Sequence, residues 1–236
     1  MDSDFSARVE ALEASTEALQ HTLSNLTDEQ ARGQSLLPGW TRGHVITHVA
    51  RNADAMLNLV TWARTGQETP MYESREQRDA DIEDGAGRPA AALVADVDET
   101  HQQLMAALRE LPESAHTAPI RYGGADATGD GAVIPMLRRS EVEIHHVDLD
   151  LEYTLAHLPE DFVERLLDQV SAEFSSRDDA PALVLVRTDD EHRWTVGSGG
   201  QEVSGSAPSL LGYLLGRTDG VGLHTDGTLP TMGVWR

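Results

Sequence analysis

The sequence contains no cysteine. It therefore has no disulfide framework, no thiolate zinc site and no protein thiol nucleophile, so any sulfur chemistry must use a thiol brought in from solution. Lysine is also absent, and all 18 basic residues are arginine. That removes Schiff-base chemistry and the P-loop lysine together. Positive charge is scarce overall, with 40 acidic residues and a net charge of -22. Phosphate backbones are repelled by such a chain, which argues against nucleic acid as a partner. An anionic small molecule would need locally placed arginines in a shielded pocket. Long apolar runs are missing too, and the opening "MDSDFSARVEALEAS" lacks the basic-then-apolar layout of a signal peptide. The expectation is a soluble cytoplasmic protein without a membrane partner.

What the 236 residues do contain is enough apolar material, 39%, for one large or two modest domains. Phe5, Val9, Leu12, Leu19 and Leu23 recur at helical steps and predict a helix over 4–23. "TDEQ" at 27–30 reads as a capping box opening a short helix closed by Gly33. Thr41 caps a long helix running to about Arg64, where Gly66 stops it, and a third long helix follows Pro89. The polar "ETPMYESREQRDADIEDGAG" between them reads as a loop with one short helix. After the Gly-rich "RYGGADATGDGAV", a fourth long helix is predicted from near Pro135 to about Leu155. Four long helices suggest a bundle. Beyond Pro159 comes one more helix, to Phe174, and then the short strand-like runs "ALVLVRT", "RWTVGS" and "QEVSGS", a helix "PSLLGYLLG" and a last strand-like "VGLHT". The expected fold is α+β, a four-helix bundle over 1–156 followed by a smaller α/β domain over 157–236.

Chemistry concentrates on two of the long helices. On the second, His48 shares a stripe with Val45, Val49, Asn52, Met56 and Leu59, so it faces inward, while His44 sits nearer the stripe's edge. On the fourth, Glu141 and His145 are spaced i, i+4 beside Leu137, Ile144 and Asp148. A carboxylate and an imidazole against a core are costly unless something satisfies both, and a divalent metal would. His48, Glu141 and His145 make an N2O set that leaves one coordination position open, the layout of a catalytic rather than a structural zinc. Asp148 is placed to accept the second imidazole N–H of His145, or else is a surface acid near a helix end. His44, spaced i, i+4 from His48, remains an alternative ligand. Glu143 and His146 form a Glu-x-x-His pair of the dinuclear type, expected on the opposite, solvent-leaning face and without a matching second pair.

"GWTRGHVITHVARNA", "TGQETPMY", "SEVEIHHVDL" and, near the C-terminus, "SGS...GYLLGRTDGV" resemble the mycothiol-dependent maleylpyruvate isomerases of actinobacteria, within the DinB-like metalloenzyme superfamily. The likeness covers nearly the whole chain. It implies a DinB-like bundle with zinc, or another divalent metal, held by His48, Glu141 and His145, and it implies mycothiol as the soluble thiol. It also implies a catalytic arginine at Arg217, in "LLGRTDG". Read from the residues alone, Arg217 ends a helix, where a cation interacts well with free carbonyls; the functional alternative is paired hydrogen bonds to a substrate carboxylate. The implied reaction converts maleylpyruvate to fumarylpyruvate in gentisate breakdown. Thiolate addition to the conjugated alkene makes its cis bond single, and rotation followed by expulsion of the thiolate delivers the trans isomer.

Two other functions fit the same pattern. A DinB-like thiol S-transferase would conjugate mycothiol to an electrophile, and a binding protein of the same shape would use its metal structurally or not at all. A zinc peptidase is disfavoured by the lack of H-E-x-x-H. The implied partners are a small dicarboxylate and a low-molecular-weight thiol. Oligomeric state is not set by these features, and a monomer is compatible with them.

Overall fold

The computed structural model describes residues 3–122, 127–232 and 235. It divides into two compact units, Met1–Glu152 and Tyr153–Arg236. In the first, helices α1 (Ser3–Leu23), α3 (Arg42–Thr65), α5 (Ala90–Arg109) and α7 (Ile134–Asp148) form the bundle. The short helices α2 (Asp28–Arg32), α4 (Arg75–Ala86) and α6 (Glu113–His116) lie between them. Local signals set most boundaries. Thr27 makes the capping box with Gln30 at α2. Thr41 caps α3, and Gly66, in the left-handed region at φ 72°, ends it.

Side-chain pairs reveal the helix directions. Arg8 with Ala132, Ser15 with Glu143 and Thr22 with His146 make α1 and α7 parallel. Arg42 reaches Leu149 and Arg138 reaches Val49, which makes α3 and α7 antiparallel. Arg109 with Glu13 and Gln20 with Asp98 run α5 antiparallel to α1. The core between these helices is aliphatic, with Leu12, Leu59, Leu93, Leu104 and Val142 fully buried. At roughly 25 cal/mol per Å² of apolar area removed from water, such side chains are each worth about 2 kcal/mol.

Two expectations need correction, and one pair of strands is added. Helix α7 ends at Asp148, not near Leu155. The apolar period continues through Leu149 and Leu151, but Asp150 adopts φ 52° and breaks the helix. Arg42 then captures the carbonyls of Leu149 and Asp150 at 2.5 and 2.9 Å. A small antiparallel pair that has no counterpart among the predicted elements, β1 (Pro119–Arg121) and β2 (Thr128–Asp130), precedes α7. "VGLHT" is not a strand, and only His224 forms an isolated bridge, to Ser204. Gly222 within it and Gly220 just before it both have positive φ, which is incompatible with extended pairing.

The second unit packs helix α8 (Glu160–Ser175) and helix α9 (Ala207–Leu214) with a three-stranded sheet of order β4-β3-β5. Strand β3 (Leu183–Arg187) pairs antiparallel with β4 (Arg193–Val196) and parallel with β5 (Gln201–Gly205). The overall class is α+β, as expected.

Burial of His101 on α5 makes an acid-stability prediction. The side chain is 6% exposed. Burial, reinforced by the charge of Arg138, lowers its pKa from 6.5 to about 4. Between those values the unfolded chain binds a proton that the folded chain does not, so stability falls as pH falls through this window. Thermal denaturation at pH 7 and pH 5 should show His101→Phe losing about 1–2 kcal/mol less than the parent. Identical losses in the two proteins would refute this.

Candidate metal centre

Antiparallel packing of α3 on α7 brings together residues more than ninety positions apart. His48 Nε2 lies 3.0 Å from Glu141 Oε2. His145 Nε2 is 3.5 Å from the same oxygen. One donor atom from each of the three residues falls within 4.8 Å of the others. The two imidazoles meet edge-on, their centroids 4.6 Å apart at 89°. Trp40 covers His48 at 5.7 Å.

These spacings suit a single cation. Donors about 2.0–2.1 Å from a tetrahedral ion lie about 3.3 Å from one another, close to the 3.0 and 3.5 Å observed. The ring orientation suits it as well. His145 Nδ1 is 2.9 Å from Asp148 Oδ2, so this nitrogen carries a proton and Nε2 is the atom that faces the other donors and would coordinate once deprotonated. Asp148 is fully buried, not at the surface. His44 does not join the group, because its Nδ1 accepts from the Thr41 backbone N–H at 3.1 Å and its Nε2 faces Glu83 at 3.2 Å. Glu143 and His146 lie on another face of α7, but that face is buried, with each residue 1% exposed. Helix α1 covers it, with Ser15 donating to Glu143 at 2.6 Å and Thr22 beside His146 at 2.8 Å.

Electrostatics divide the two histidines. Burial and the neighbouring His145 lower the His48 pKa to about 4, against the opposing pull of Glu141. His145 goes the other way, to about 9: burial opposes its charge, but hydrogen bonds to Asp148 and Glu141 and their charges prevail. Burial also opposes ionisation of Glu141, yet hydrogen bonds from His145 and His48 and their charge hold its carboxyl well below the ordinary range. The carboxylate side chain remains 29% exposed, so solvent screens part of this pairing. At neutral pH the trio is a neutral imidazole, a carboxylate and an imidazolium.

Coordination through His145 Nε2 must displace a proton from that imidazolium. Calorimetric titration of metal-free protein with Zn²⁺ at pH 7.5, in buffers of different ionisation enthalpy, should show about one proton released per ion. A buffer-independent enthalpy at pH 7.5 would contradict displacement of a proton from an imidazolium at this centre.

Further polar residues adjoin the centre that spacing alone did not single out. Arg78, on α4, approaches His48 Nδ1 with Nη2 at 3.4 Å and lies 5.8 Å above the Tyr72 ring. It comes from the polar segment read as a loop with one short helix, where no periodic signal distinguishes it. Arg138, three positions before Glu141, is completely buried. Burial lowers its pKa to about 10, so it stays cationic at neutral pH. Its i, i+3 relation to Glu141 was the available signal.

Arg217 belongs to the second unit. It follows α9 directly after Gly216, which has φ 69°. Its backbone N–H donates to Gly212 at 2.8 Å and its guanidinium donates to the Leu215 carbonyl, also at 2.8 Å.

Fold and site together define a helical-bundle protein in which two imidazoles and a carboxylate converge closely enough that they could hold a metal ion. Residues 12–150 match the family model described as the mycothiol maleylpyruvate isomerase N-terminal domain, and residues 157–233 match the model of that family's C-terminal domain. The chain belongs to the mycothiol maleylpyruvate isomerase family. It is similar to a crystal structure of the mycothiol-dependent maleylpyruvate isomerase, and to one of a mutant with a histidine replaced by alanine. Each match has 31% identity and a TM-score of 0.92, covering 98% of this chain and 97% of the other. A search of curated proteins found no significant match.

Proposed function

We propose that the protein is a mycothiol-dependent cis-trans isomerase that converts maleylpyruvate to fumarylpyruvate, with a zinc-class ion held by His48, Glu141 and His145, and that it acts in the cytoplasm. The observation that carries this reading is the convergence of those three donors within 4.8 Å in a chain of this family. When bound, the ion lowers the pKa of a thiol and the thiol provides a nucleophile that adds to the alkene and leaves it again.

The chain's own residues provide the setting. Asp148 keeps the Nδ1 proton of His145 in place, and Trp40 packs beside the His48 ring and limits its rotation. Glu141 would add the negative charge that favours a dication over a monovalent ion at these donors. Arg217 holds a substrate carboxylate by paired, charge-assisted hydrogen bonds and stabilises enolate charge as it develops. That role rests on the resemblance of "LLGRTDG". The absence of cysteine supports a borrowed thiol, since the chain has no sulfur nucleophile of its own.

The deciding experiment incubates purified, metal-analysed protein with maleylpyruvate, with and without mycothiol, and follows product and free thiol together. Fumarylpyruvate should form only with the thiol present, and the thiol should not be consumed. One-for-one loss of thiol would make the protein an S-transferase instead, and product formed without thiol would remove mycothiol from the account.

A further inference from the structure

Arg138 is the largest fully buried side chain among the described residues, at 0% exposure. Its Nη1 donates to the Val49 carbonyl at 2.7 Å and to Asn52 Oδ1 at 2.8 Å. Nε and Nη2 have no hydrogen-bond partner among the described residues. A cation buried in this way is poor packing material. Replacing buried ionic groups with apolar ones of similar volume is often neutral or stabilising, so helix cohesion alone does not account for an arginine here. What an apolar residue would lack is the directional grip on two oxygens.

Both of those oxygens belong to α3, at the residue after His48 and one turn beyond it. Arg138 itself lies on α7, three residues before Glu141 and seven before His145, so it joins the two helices that supply the donors at the level of the site. The required tolerance is tight. A slip of one residue along either helix moves a donor about 1.5 Å, whereas metal distances hold to within about 0.2 Å. The donor separations are only 3.0 and 3.5 Å.

We propose that Arg138 is a positioning residue for the metal centre, locking the register of α3 against α7 so that His48 meets Glu141 and His145. The inference rests on the metal reading above. It makes cation affinity depend on a side chain that does not coordinate.

Two variants separate register from charge. Arg138→Lys keeps the cation but loses the rigid guanidinium plane that aims Nη1 at the two oxygens, and Asn52→Ala keeps the arginine but removes one of its two acceptors. Zn²⁺ affinity is measured on metal-free protein by chelator competition, the Co²⁺ absorption spectrum reports ligand geometry, and thermal denaturation is followed in parallel. Leu108→Ala is the control, because it removes core packing on α5 about three turns beyond the level of Asp96, which pairs with Arg51 near the site's end of α3.

Both test variants should bind Zn²⁺ at least about tenfold more weakly and alter the Co²⁺ spectrum, an effect of the size seen when groups supporting metal ligands are removed. Leu108→Ala should lower the melting temperature yet bind Zn²⁺ as the parent does, since a destabilised but folded protein retains its donor geometry. Parental Zn²⁺ affinity in the test variants would overturn the proposal, as would an equal loss of affinity in the control. If Arg138→Lys does not fold, Asn52→Ala decides the matter. A parent that binds no Zn²⁺ would instead show the metal reading itself to be wrong.

Discussion

Replacing His48 by alanine should strip the protein of most of its metal and reduce turnover by about a thousandfold while leaving it folded. Apparent binding energies of about 10–16 kcal/mol for four-ligand zinc sites correspond to about 2.5–4 kcal/mol per ligand. Losing one of three protein donors should therefore weaken affinity by about two to three orders of magnitude. Folding should survive for reasons visible at the site. His48 is neutral, its pKa held near 4 mainly by burial, so its removal leaves no unpaired charge. The contact between Glu141 and His145 remains, and alanine favours the helix. The cost is the cavity beside Trp40 and His145, about 1–3 kcal/mol. Metal analysis of the purified variant, with circular dichroism as the folding control, tests the assignment. Full metal stoichiometry in a folded variant would contradict it.

Arg217→Ala should produce the opposite division, an intact metal centre with crippled chemistry. If the guanidinium grips a substrate carboxylate and meets charge developing next to it, kcat/KM should fall by about a hundred- to a thousandfold, or about 3–4 kcal/mol of transition-state stabilisation. Metal content should not change, because none of the three donors lies in the unit that contains Arg217. Loss of its bond to the Leu215 carbonyl at the end of α9 should cost only about 0.3–1 kcal/mol of stability. Arg217→Lys should recover part of the activity, since it restores the charge without the fork. Activity within about threefold of the parent in Arg217→Ala would reduce this residue to a helix-end interaction, the reading that its position after α9 suggests on local grounds.

The legibility of the site follows the range of the interactions. Glu141 and His145 could be paired from spacing because i and i+4 share a face on any helix, and Asp148 lies one turn further along that face. The exclusion of His44 is also local: it closes the capping box with Thr41, a role that the T-x-x-H spacing permits. The burial of Glu143 and His146 was not legible, because periodicity ranks the faces of one helix without revealing that α1 packs over the second. The early end of α7 was hidden for a similar reason. Its apolar period continues past Asp148, while the capture of the next carbonyls by Arg42 spans more than a hundred residues.

From sequence alone came the elements and their inward faces, the local caps, a carboxylate and an imidazole one turn apart on the fourth long helix, and the lack of any protein thiol. Each depends on neighbours within about a turn of chain, where backbone geometry is regular enough to calculate from spacing. Tertiary structure alone decided that α3 runs antiparallel to α7 in the register that brings His48 to 3.0 Å from Glu141, and that Arg138 spans the two helices at that level. Hydrophobic burial selects which faces turn inward but is non-directional, so partner, direction and register emerge only when the whole core packs.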